Sequence, residues 1–172
     1  MSGCMGGYSP EDSMRKRKEI VIGGLGNLLM TDEGIGICVV RESMVRAKHF
    51  PEVDFVELGS SVIGVVHAIA GRRKAILIDC VWMGEPAGTI RRFSPDEVVS
   101  TKAMAHFSLH EGDVLGALEL SRKLGEYPEE VAIFGIQPES IVLGDSLSST
   151  LRERLDNYVE MILRELNGDY DA

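Results

Sequence analysis

The sequence predicts an α/β domain of three layers, a mostly parallel twisted sheet flanked by helices on both faces. Strand-like and helix-like segments alternate along residues 19–168. The strand segments are apolar continuously rather than at every second residue, as strands covered on both faces are. The first of them ends in a glycine turn, Gly24-Leu25-Gly26, that leads straight into a helical pattern.

Residues 1–18 are polar, charged and glycine-containing, and read as a flexible lead-in to the single domain at 19–168; residues 169–172 read as a tail. Within the domain, Glu19 to Gly24 is the first strand. Thr31 to Lys48 reads as one helix, with Ile35, Cys38, Val39, Val45 and Ala47 available for burial. Val53 to Leu58 is a second strand, and Val62 to Ala70 has helical spacing that Gly71-Arg72-Arg73 ends. Lys74 to Asp79 is a third strand that stops at an acid. Gly88 to Ser94 alternates weakly, as a short edge strand does. Ser94-Pro95-Asp96-Glu97 starts a helix with proline in its first turn. Ser108-Leu109-His110-Glu111 reads as a capping box before a helix to about Leu124. Glu130 to Gln137 is a further apolar strand, and Ser148 to Leu166 reads as one closing helix.

Composition narrows the class. With 27 acidic against 18 basic residues the net charge is −9, which argues against a nucleic acid or an anionic membrane as partner. The basic strip Arg15 to Lys18 falls in the lead-in. Cys4, Cys38 and Cys80 have no metal-type spacing and read as reduced thiols of an intracellular protein. No apolar stretch approaches the roughly 20 residues of a membrane span. No secretory leader is expected from the polar N-terminus.

In a parallel sheet, ligands bind beyond the carboxyl ends of the strands. Three ionisable residues fall there: Glu33 in the first turn after strand one, Asp79 at the end of strand three, and His110 inside the Ser108 cap. Each has an ordinary explanation alone: helix-dipole stabilisation, a turn residue, a surface histidine. Together, a histidine and two carboxylates can hold a divalent transition metal with positions left open. Nucleotide binding is disfavoured, because Gly24-Leu25-Gly26 lacks the third glycine of a dinucleotide turn and no Walker sequence is present. No G-x-S-x-G or H-E-x-x-H occurs. Cys80 beside Asp79 reads as a small buried thiol rather than a nucleophile. His49, His67 and His106 lack a partner pattern, and His67 reads as packing. Met30, Met44, Met83 and Met161 read as core.

The segment from Gly24 to Gly36 resembles the opening signature of the hydrogenase maturation endopeptidases, G-x-G-N-x-L-x-x-D-[DE]-G-x-G, and matches it throughout. Ile78-Asp79, Ser108-Leu109-His110 and Gly135-Ile136-Gln137-Pro138-Glu139 resemble later segments of that family, in order. The resemblance spans Glu19 to Leu166. It implies a cytoplasmic aspartyl-type endopeptidase, similar in fold to the spore germination protease, that removes the C-terminal extension of a nickel–iron hydrogenase large-subunit precursor. It implies that Glu33, Asp79 and His110 are nickel ligands, with Asp79 also a candidate catalytic base. The nickel is carried by the precursor and is not resident in the protease. A monomer is expected when the protein is free. A non-enzymatic nickel-sensing chaperone and a germination-type peptidase are the alternatives. One departure stands out: Glu57-Leu58-Gly59 occupies the place where the family commonly carries D-G-G.

Overall fold

The computed structural model describes residues 17–102 and 113–168. Five strands, β1 (Ile20–Leu25), β2 (Val53–Gly59), β3 (Lys74–Cys80), β4 (Ile90–Phe93) and β5 (Glu130–Ile136), form one sheet in the order β2-β1-β3-β5-β4. All pairs are parallel except β4 with β5, so the weakly alternating segment is an antiparallel edge strand. Successive residues of a strand point to opposite faces, and each face carries its own core. On one side Ile22, Ile76, Ile78 and Phe134 meet α1 (Ile35–Met44), α5 (Ser149–Glu153) and α6 (Leu155–Asn167). On the other, Val21, Leu77 and Ile133 meet α2 (Val62–Ile69), α3 (Pro95–Lys102) and α4 (Asp113–Leu124). The three-layer α/β reading of the sequence holds. No helix among the described residues is long and apolar enough to cross a membrane.

Two predicted helices are divided. The segment from Thr31 to Lys48 opens with a 3-10 turn, Thr31–Gly34, becomes α-helical only at Ile35, and ends at Met44 before a second 3-10 turn, Ala47–His49. The Asp32 side chain does not cap this helix but serves backbone groups elsewhere, and Gly34 is the first residue before regular helix. Because α1 stops at Met44, Val45 is not buried but 71% exposed. The closing helix breaks at Arg154 (φ −99°, ψ 0°), which ends α5 and starts α6. Ser148 does cap it, accepting from Leu151 N at 3.4 Å. Ser94 and Glu97 form a reciprocal capping box: Glu97 Oε2 accepts from Ser94 N at 2.6 Å and Ser94 Oγ from Glu97 N at 3.3 Å. His67 is exposed rather than packed, because α2 turns it away from Val65, Val66 and Ile69. Met44 is exposed and Met30, Met83 and Met161 are half-buried, so none of the four belongs to the buried core. Arg17 donates to Ala70 O at 2.9 Å and Lys18 to Val53 O at 3.0 Å, tying the end of the lead-in to the domain.

At the amino ends of the strands, an ionic cluster fastens α6 to the sheet. The buried Lys74 ammonium lies 2.9 Å from Glu165 Oε1 and 2.7 Å from Glu130 Oε1, and Arg92 Nε lies 2.8 Å from Glu165 Oε2. These groups line a polar cavity of about 410 Å³, on the edge opposite Asp79. Burial alone would push the Glu165 carboxyl up, but Arg92 and Lys74 outweigh it and hold it below the ordinary carboxylate value. The unfolded chain therefore binds that proton more readily. The stabilisation is present above the unfolded value and is lost as pH falls through the folded one. Glu165→Gln leaves Lys74 and Arg92 with Glu130 as their remaining acid, so the expected cost lies below the about 3–5 kcal/mol of a buried charge left unpaired. Thermal melts against pH should show wild type weakening below about pH 4, with a flatter acid limb in the variant. Equal acid slopes in the two proteins would contradict this assignment.

Candidate active site

The glycines of the opening segment are required by contact. A Cβ on Gly24 would lie 2.3 Å from Gly36 O, and one on Gly36 would lie 2.3 Å from Ile78 O and 2.5 Å from Leu25 O. Gly26 has φ +122°, and a Cβ there would fall 1.8 Å from Glu33 O. The start of α1 is thus pressed, backbone to backbone, into the notch between the ends of β1 and β3, where Gly24 and Ile78 pair in register. Glu33 sits three residues before Gly36, in the turn that covers this notch, and is buried. Asp79 follows Ile78 and has no exposed surface. Its Oδ1 accepts from Cys80 N at 2.8 Å, which fixes the rotation of the carboxylate.

Both residues of the sequence-derived pair thus lie at the carboxyl edge, Glu33 in the turn before α1 and Asp79 near the end of β3. Burial pushes the Cys80 thiol far up, and Asp79, Asp32 and Glu33 all add to that rise, so three carboxylates crowd one thiol. This rise favours the protonated thiol, in keeping with the small buried thiol that its sequence context predicts. His110, with the Ser108 cap proposed for it, and His106 lie outside the described residues. Among the described residues no group of three His, Cys, Asp or Glu side chains is placed to hold a metal. Glu33 and Asp79 bring two buried carboxylates to this edge.

Asp32 looks in sequence like an ordinary acid at a helix start. In the fold it has no exposed surface. Its Oδ2 accepts from Glu139 N at 2.9 Å and Ser140 N at 3.1 Å, and its Oδ1 from Ser148 N at 2.7 Å. Both oxygens are thus engaged by the loop after β5. Thr31, at φ +39°, donates to Ser140 O and accepts from Val142 N, each at 3.0 Å. Gln137, nearly buried, accepts from Met83 N at 2.7 Å and so holds the segment that follows β3. The sequence signals for these roles are present only as the D-E adjacency and the Gln137-Pro138-Glu139 stretch. Neither indicates which backbone amides a side chain will meet more than 100 residues away.

The Glu57-Leu58-Gly59 departure is absorbed locally. Arg41 grips both Glu57 oxygens at 2.8 Å, and Leu58 packs over Gly23, where a Cβ would come within 2.4 Å of Leu58 Cδ1. Gly59 keeps the left-handed turn (φ +59°), and its carbonyl accepts from Gly26 N at 3.1 Å. The end of β2 is thereby tied to the glycine turn of the site.

Comparison with known proteins bears on what this edge does. The family model for hydrogenase maturation proteases (HycI) matches residues 37–165. The chain belongs to the hydrogenase maturation protease family. It is 32% identical over 154 residues to the hydrogenase expression/formation protein HupD of Thiocapsa roseopersicina, covering 89% of this chain and 70% of that one. It is 28% identical over 151 residues to the hydrogenase 2 maturation protease of Escherichia coli K12, covering 86% of this chain and 90% of that one. The fold is similar to that of the hydrogenase maturating endopeptidase HybD from E. coli, with a TM-score of 0.74 at 24% identity over 87% of this chain and 93% of that one. The [NiFe] hydrogenase maturation protease HybD from Thermococcus kodakarensis superimposes with a TM-score of 0.69 at 25% identity, over 86% and 98%. This maturation protease is thus a peptidase, and the glycine-built notch holding Glu33 and Asp79 is its candidate active site.

Proposed function

We propose that this protease removes the C-terminal extension of a nickel–iron hydrogenase large-subunit precursor once nickel has been inserted. Glu33, Asp79 and His110 read the metal. The observation that supports the proposal is that two buried carboxylates, Glu33 and Asp79, lie at the carboxyl edge of β1 and β3, at a turn whose glycines leave no room for a side chain. Two carboxylates and an imidazole suit a divalent first-row ion and leave positions for the precursor's own ligands. They lack the thiolates and the ligand count of a closed structural zinc site, which accords with nickel arriving as cargo of the substrate. Held there, the ion would place the precursor tail against Asp79. Asp79, its carboxylate oriented by Cys80 N, takes the proton of the attacking water and returns it to the leaving amine. The protease works in the cytoplasm, as a monomer when free.

Incubation with nickel-loaded precursor, followed by intact-mass measurement, tests the reading. One cut near the C-terminus, releasing a single peptide, is the expected result. Binding without any mass change would replace the protease with a nickel-sensing chaperone.

A further inference from the structure

Among the described residues, eight large apolar side chains stand exposed: Leu29, Met44, Val45, Ile63, Trp82, Leu124, Val142 and Leu143. Their placement is uneven. Met44, Val45 and Leu124 end helices α1 and α4, at the amino edge of the sheet. The other five follow the carboxyl ends of strands: Leu29 after β1, Ile63 at the start of α2 after β2, Trp82 after β3, and Val142 and Leu143 after β5. Exposed apolar surface gathered beside a site marks an interaction surface. Leu143, at 84%, is the most exposed of all.

The centre of this surface is held rigidly. Leu29 O accepts from Gly144 N and Gly144 O from Thr31 N, both at 2.9 Å, so the segments carrying Leu29 and Leu143 are joined by a short parallel bridge. Thr31 Oγ1 holds Val142 N. Asp32 anchors both ends of the same loop, at Glu139 and Ser140 and at Ser148. A loop tied down by this many bonds cannot fold its apolar side chains inward, so their exposure is maintained by the fold.

We infer that Asp32 is a positioning residue and that the Leu29–Val142–Leu143 platform it fixes is the docking surface for an apolar segment of the precursor flanking the scissile bond. This rests on the proposed precursor cleavage. The occupant follows from continuity. Asp32 is the neighbour of Glu33, and the platform joins the notch through the turn at Met30–Gly34. A substrate segment lying across Leu29 and Leu143 is thereby seated beside the turn that carries Glu33. Asp32 itself has both oxygens engaged by backbone amides and acts only through the loop.

The test is the cleavage kinetics of nickel-loaded precursor by wild type, Leu143→Asp, Asp32→Asn and the control Val45→Asp. Leu143→Asp alters a side chain already in solvent and should fold normally. It should raise KM about tenfold or more, the loss expected when one large apolar contact is denied its partner, with kcat little changed. Asp32→Asn should raise KM likewise and speed hydrogen exchange at Glu139, Ser140 and Ser148 N. Val45→Asp, at the opposite edge, should behave as wild type. Wild-type KM in Leu143→Asp, or equal effects of Leu143→Asp and Val45→Asp, would overturn the inference while leaving the cleavage reading intact. Failure of wild type itself to cut the precursor would overturn that reading instead.

Discussion

Asp79→Asn is expected to abolish precursor processing while leaving the fold unchanged. The substitution conserves size, and the new side chain still carries an oxygen to accept from Cys80 N. Under the proposed mechanism, what is lost is the negative charge that would hold a cation and the basicity that would take a proton from water. Removal of a general base alone slows a reaction by about 10²–10⁴-fold, and loss of a metal donor adds to that. Circular dichroism and the melting temperature should stay near those of wild type, while precursor accumulates and the released peptide is undetectable by mass. Glu33→Gln should resemble it, because Glu33 shares the notch. Cleavage at the normal rate by the Asp79 variant would remove that residue from the site.

The second large effect is on stability. Gly36→Ala introduces a Cβ 2.3 Å from Ile78 O and 2.5 Å from Leu25 O, and both neighbours are backbone at the ends of the inner strands β3 and β1. Neither can yield without moving β1 or β3. The expected cost is at or above the upper end of the about 1–3 kcal/mol typical of overpacking. For a domain of this length that lowers the melting temperature by roughly 5–10 °C. Activity should fall further than stability, because the displaced turn carries Glu33. Gly116→Ala in α4 is the matched control: an added Cβ there meets nothing within 4 Å. It should stabilise by about 0.5–1 kcal/mol, since glycine is a poor helix residue. A Gly36→Ala protein as stable as wild type would mean that α1 does not press into the β1–β3 notch.

The strands were legible because their signal is local. Ile76-Leu77-Ile78 or Val131-Ala132-Ile133 is apolar at every position, and only a strand covered on both faces uses such a run economically. Glu33 and Asp79 could be placed on one edge from topology alone, since both follow strands of a parallel sheet. The break at Arg154 and the late start of α1 were not legible. Helical periodicity continues through both, and before α1 the Asp32 carboxylate is claimed by the distant amides of Glu139, Ser140 and Ser148. The same limit hid the loop-anchoring role of Asp32. A buried acid that ties down a loop 107 residues away has the same local sequence as one that stabilises a helix start. Val45 shows the converse error, an apolar residue credited to a helix that ends one position earlier.

The central claim is that the carboxylate notch reads a nickel ion carried by the substrate. The most direct measurement compares the rate of cleavage of nickel-loaded and nickel-free precursor, at equal protein concentration and with free metal removed by a chelator. The account predicts that only the nickel-loaded form is cut, and that Glu33→Gln, Asp79→Asn and His110→Ala each lose that cleavage. Equal rates on the two forms of the precursor would contradict it.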